Sequence, residues 1–140
     1  MKISARNVLA GTVQNVIKGA VNSEITLVLE GGEAVVAVIT NASVDSLDLH
    51  PGRAAYAVIK ASEVMIGVGI DATKISARNV LLGQVAGVQD GAVNSEVEVR
   101  LDGGTSVVAS ITKASVESLG LHPGVTVSAI VKASNVLVGV

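Results

Sequence analysis

The chain has 140 residues, a formal net charge of −2 and no cysteine. These numbers exclude a disulfide framework, a thiolate nucleophile and a cysteine-based zinc site, and they give no long-range attraction to nucleic acid or anionic lipid. Apolar residues make up 49% of the chain, yet Phe and Trp are absent and Tyr56 is the single Tyr. The core must therefore be Val, Ile, Leu and Ala, which bury less area per residue than aromatic side chains.

Strand signals begin at once. Residues 4–17 read as one long strand, with Gly11 positioned to bend it at a barrel corner. Residues 25–30 put Ile25, Leu27 and Leu29 on one face, the period of two of a half-buried antiparallel strand. Gly31-Gly32 marks a tight hairpin, and residues 35–40 return. Thr40 is placed to cap one short helix, where Val44 and Leu47 have i, i+3 spacing. His50-Pro51-Gly52 ends it, with Pro and Gly suited to the centre of a type II turn. Residues 53–60 and 64–66 are two further strands.

From Lys74 the same text returns. Lys2-Ile3-Ser4-Ala5-Arg6-Asn7-Val8-Leu9 becomes Lys74-Ile75-Ser76-Ala77-Arg78-Asn79-Val80-Leu81, an offset of 72 (74 minus 2) that holds without a gap to the last residue. Gly19 to Glu24 returns as Gly91 to Glu96, Leu49-His50-Pro51-Gly52 as Leu121-His122-Pro123-Gly124, and Lys60-Ala61-Ser62 as Lys132-Ala133-Ser134. A period of this length is a duplicated small domain rather than a solenoid unit. The reading divides the chain into a first domain at 1–68, a linker at 69–73 and a second domain at 74–140. The fold class expected is all-β with one short helix per repeat, as tandem OB-like five-stranded antiparallel barrels. Each half is close to the size at which a lone core is only marginally stable. Much of the apolar surface is therefore expected to lie in contacts with the twin or with other chains.

No stretch approaches membrane-spanning length without charges or glycines, and Ser4, Arg6 and Asn7 interrupt any apolar leader, so a cytoplasmic protein with no membrane partner is expected. The Asn41-Ala42-Ser43 sequon carries no weight without a secretory signal. Nucleotide-binding, serine-hydrolase and zinc-protease motifs are absent, and no enzyme activity or organic cofactor is expected. His50 and His122 have no neighbouring ligand cluster and read as turn residues, so no bare metal cation is expected. Glu24 and Glu96 read as solvated.

The repeated polar set differs in kind. Ser4, Arg6, Asn7, Asn22, Ser23, Thr40, Lys60 and Ser62 have twins Ser76, Arg78, Asn79, Asn94, Ser95, Thr112, Lys132 and Ser134. Most are hydrogen-bond donors. Such a set suits a fully deprotonated tetrahedral dianion, which accepts only. A protonated anion such as phosphate leaves its O–H unpaired there, at about 1–3 kcal/mol. Singly, each residue has a plainer role: Arg6 as an edge-strand charge, Thr40 as a helix cap, Lys60 as a strand end. Three classes stay open on the residues alone: an oxyanion binder, an OB-like nucleic-acid binder, and a purely structural oligomerisation module. One Tyr and a net charge of −2 weigh against the second.

At these residues the chain resembles the molbindins, small proteins made of molybdate-binding Mop domains. The resemblance rests on Ser-Ala-Arg-Asn, then Gly-Ala-Val-Asn-Ser-Glu, then the Thr after the return strand, then Lys-Ala-Ser, in that order in both halves. It implies an OB-like barrel, a homotrimer, and molybdate or tungstate held between subunits for storage or homeostasis. Carried across, one site type uses Ser4, Ala5, Arg6, Thr40, Lys60, Ala61 and Ser62. Its counterpart uses Ser76, Ala77, Arg78, Thr112, Lys132, Ala133 and Ser134. A second site type uses Val21, Asn22 and Ser23 with Val93, Asn94 and Ser95, near a three-fold axis. The symmetry breaks after Lys-Ala-Ser, where Glu63 stands opposite Asn135, and unequal binding by the two halves is expected.

Overall fold

Burial with a period of two builds both sheets. Ile25, Leu27 and Leu29, and their twins Val97, Val99 and Leu101, are buried while the residues between them are not. The computed structural model describes residues 1–140. The first half contributes β1 (Asn7–Lys18), β2 (Asn22–Leu29), β3 (Ala34–Thr40), α1 (Asn41–Ser46), β4 (Ala54–Ile59) and β5 (Met65–Gly67). The second contributes β6 (Asn79–Asp90), β7 (Asn94–Leu101), β8 (Ser106–Thr112), α2 (Lys113–Leu119), β9 (Thr126–Val131) and β10 (Leu137–Gly139). Single 3-10 turns occupy Ala61–Glu63, Ala72–Lys74 and Ala133–Asn135. Asp71 caps the middle one; hydrogen bonds from the Thr73 hydroxyl and amide hold its carboxyl below the usual carboxylate range.

The result is all-β with one short helix per half: two five-stranded antiparallel sheets in the orders β10-β4-β1-β2-β3 and β5-β9-β6-β7-β8. The fifth strand of each is exchanged. β5 pairs with β9, setting Ile66 opposite Ala129, and β10 pairs with β4, setting Val138 opposite Ala57. The residue pattern locates these strands but does not name their partner. One continuous core of Val, Leu, Ile and Ala runs through both halves.

Each long strand carries a bulge, and Gly11 lies where β1 pairs with both β2 and β4. Register slips between Val13 and Asn15, and again between Val85 and Gly87, so Gln14 and Ala86 are the extra residues that add twist. At Gly11 a Cβ would stand 2.6 Å from the Val28 carbonyl oxygen, so glycine lets β2 approach.

The helix ends follow from local chemistry. Thr40 Oγ1 accepts from the Ser43 amide, and Thr112 Oγ1 from the Ser115 amide, each at 3.1 Å. Both helices close with the Leu49 or Leu121 amide donating to the carbonyl of Val44 or Val116 at 3.0 Å, around a left-handed residue. That residue is Gly120 (φ 64°) in one half and Asp48 (φ 51°) in the other. Val44 and Val116 are buried, Leu47 packs partly buried against the core as expected, Leu49 and Leu121 are buried, and Leu119 is exposed. The turns after them are type II in form: the amide of Arg53 donates to the carbonyl of His50 at 3.0 Å, and Gly52 has φ 93°.

Candidate functional site

The β1–β4 ladder begins with Asn7 opposite Ile59. The residues just before Asn7 and just after Ile59 must therefore leave the sheet side by side. These are Ser4-Ala5-Arg6 and Lys60-Ala61-Ser62, and they line one cleft of about 560 Å³. Asn79 opposite Val131 repeats the arrangement, so that Ser76-Ala77-Arg78 and Lys132-Ala133-Ser134 line a second of about 450 Å³. Each main-chain segment reaches its position because a strand pair ends there, which is why the Arg and Lys recur together.

Strand exchange makes each cleft a joint product of the two halves. Leu137 rims the first cleft, and Met65 and Val38 of the first half line the second. Ser134 and Asn135 also reach the first. Ile3 and Leu137 on one rim, and Ile75 and Met65 on the other, are large apolar side chains left 38–58% exposed.

Thr40 and Thr112 line neither cleft. Asn22 stands opposite Thr40 and Lys18 opposite Ser23, so Thr40 lies at the far end of the twelve-residue β1 from Arg6. Its hydroxyl is occupied as the helix cap. The expected set of seven residues per half is thus brought together only in part within one chain.

The second expected site falls on the loops Gly19–Asn22 and Gly91–Asn94, closed by Gly19 N–H to the Asn22 carbonyl at 2.8 Å and its twin at 2.9 Å. Val21 and Val93 stand 71% and 73% exposed at the tips, beside exposed Asn22 and Asn94. Ser23 and Ser95 are buried, and their hydroxyls donate to Asn41 and Asp90. The free side-chain donors of these loops are therefore the asparagines.

Two features escaped the residue reading. Glu24 and Glu96 are not merely solvated. Arg6 forms an ion pair with Glu96, and Arg78 with Glu24, each crossing between halves. The arginines stay about half exposed and keep donors free. Asn7 and Asn79 are buried and bind backbone instead of solvent. Asn7 donates to the Val108 carbonyl and accepts from the Val108 amide, both at 2.8 Å, and Asn79 treats Val36 in the same way at 2.8 and 2.7 Å. The exact duplication of Glu24 and Asn7 was the available signal; their partners lay too far along the chain to be read.

His50 is exposed in its turn, with Nε2 3.9 Å from Asp48. No group of three or more His, Cys, Asp or Glu side chains is arranged to hold a metal ion. No helix is long and apolar enough to cross a membrane.

Comparison with known proteins agrees with this geometry. The TOBE domain model matches residues 3–66 and 75–138. The molybdenum-pterin-binding protein MopA of Rhodobacter capsulatus is 46% identical over 137 residues, covering 98% of this chain and 52% of MopA. The molybdenum transport protein ModE of Azotobacter vinelandii is 40% identical over 140 residues, covering 100% of this chain and 52% of ModE. The chain thus spans about half the length of these curated relatives. A solved structure of the cytoplasmic molybdate-binding protein ModG, with molybdate bound, superposes with a TM-score of 0.96 at 47% identity, covering 100% of this chain and 99% of that one. With both halves matched, the chain belongs to the TOBE-domain family as a tandem pair, which bears out the molbindin resemblance carried by Ser-Ala-Arg-Asn and Lys-Ala-Ser.

Proposed function

We propose that this protein binds molybdate or tungstate and serves its storage or homeostasis in the cytoplasm, without catalysing a reaction. The observation that carries the reading is the pair of twin clefts, each gathering an Arg, a Lys and at least two Ser residues where two strands end. An oxyanion there meets N–H and O–H groups from both sides, and charge-assisted bonds of this kind are roughly twice as strong as neutral ones. The ModG structure, with molybdate bound and almost the whole chain in common, favours the same ligand.

Each half, 1–68 and 74–140 about a linker at 69–73, contributes one binding unit. The clefts are open and rimmed by exposed Ile3, Leu137, Ile75 and Met65, which supports their closure by further copies of the chain in a homotrimer. In that assembly Thr40 and Thr112 of one protomer complete the donor set of another, and the Val21-Asn22 and Val93-Asn94 tips converge as a second site type. Neither nucleic acid nor membrane is a partner in this reading.

Equilibrium dialysis tests it. Saturable retention of molybdate and tungstate is expected, with sulfate and phosphate much weaker; no retention of molybdate, or equal retention of phosphate, contradicts it. One observation favours a structural module instead: Arg6 and Arg78 already have carboxylate partners across the halves. That reading predicts an assembly with no measurable anion binding.

A further inference from the structure

The two clefts differ at one chemically decisive place. Glu63 lines the Arg6/Lys60 cleft, and no carboxylate lines the Arg78/Lys132 cleft. The Glu63 position is held, because Asn135 Nδ2 donates to Glu63 Oε2 at 3.0 Å, and Asn135 lines the same cleft. The arginine–glutamate ion pairs are equivalent in the two halves, so they cancel in any comparison. What remains is an Arg and a Lys with one carboxylate on one side, and an Arg and a Lys with none on the other.

We infer that Glu63 sorts the two clefts into unlike classes of oxyanion site. This deepens the proposed oxyanion binding and rests on it. The Arg78/Lys132 cleft takes fully deprotonated tetrahedral dianions. The Arg6/Lys60 cleft holds them more weakly, because the Glu63 carboxylate stands beside the ligand. Glu63 Oε1 is also an acceptor in an otherwise donor-rich lining, so this cleft receives the O–H of an anion that keeps a proton, which the other leaves unpaired.

Calorimetric titration of the full chain with molybdate tests the first part. The two clefts are expected to give separate affinity classes, beside any class from the loop tips, and Glu63→Gln, which preserves size and the Asn135 contact, strengthens the weaker cleft class by about tenfold until the two cleft classes merge. Competition on the wild-type protein tests the second part without any substitution. Hydrogen phosphate is expected to displace molybdate from the weaker class better than sulfate, a dianion without a proton, and Glu63→Gln to lower that preference by about tenfold. Molybdate affinities that Glu63→Gln leaves unchanged, or no phosphate preference over sulfate, overturns the inference while leaving oxyanion binding in place. No molybdate heat from either protein removes the oxyanion reading and this inference together.

Discussion

A side-chain amide carries the same donor and acceptor as a peptide group, and Asn7 uses both on Val108 of the other half. Asn79 does the same on Val36. Each buried amide thus occupies a main-chain pairing position on the outer strand of the opposite sheet. Asn7→Ala leaves the Val108 amide and carbonyl unpaired, and urea denaturation is expected to report a loss of about 1–3 kcal/mol. Arg6→Ala breaks a half-exposed ion pair and is expected to cost no more than about 1 kcal/mol. An Asn7→Ala protein as stable as wild type would contradict the stitching role. The duplicated polar residues therefore divide by burial: the buried asparagines and Ser23 and Ser95 hold structure, while the exposed Arg, Lys and Ser face the clefts.

At the scale of elements, what was legible was local. Ile25, Leu27 and Leu29 announce a strand because alternation needs no partner to be seen. Thr40 announces a helix start, and Pro51-Gly52 a turn, because their bonds close within three residues. The clefts were half legible, since Ser-Ala-Arg and Lys-Ala-Ser stood out by duplication, and the Asn7–Ile59 register brings them together. The resemblance places Thr40 in the same cleft, and the length of β1 separates it from Arg6 within one chain. Strand exchange was not legible, because the pattern Val64-Met65-Ile66 is the same whichever sheet receives it. The Arg78–Glu24 and Arg6–Glu96 pairs span 54 and 90 residues, beyond any spacing rule. One local difference between the halves gives a prediction. Gly120→Ala forces a side chain into the left-handed region at the end of α2, and thermal or urea unfolding is expected to show a loss of about 1–2 kcal/mol. Asp48 already stands in that conformation, so Asp48→Gly is expected to be neutral or stabilising. The opposite signs would contradict the assigned helix ends.

For the whole molecule, duplication has produced one interlocked unit. β5 completes the second sheet, β10 completes the first, and the core is continuous between them. Two halves joined only by a flexible segment would unfold separately. Here calorimetry of dilute protein is expected to give one cooperative transition, with calorimetric and van't Hoff enthalpies in agreement. Cleavage of the peptide at residues 69–73 is expected to leave the halves co-migrating under native conditions. Two resolved transitions, or halves that separate after cleavage, would contradict the interlocked arrangement. Interlocking also bears on binding, because Leu137 and Met65 reach their clefts only through the exchanged strands. The most direct test of the central claim is titration of molybdate into the wild-type protein and into Arg6→Ala/Arg78→Ala, with the mass of the assembly measured for both. The account predicts saturable heat from the wild type and a loss of at least about tenfold in affinity in the double variant, with the assembly unchanged. Equal binding by the two proteins, or an assembly that falls apart while no anion binds to either, would contradict it.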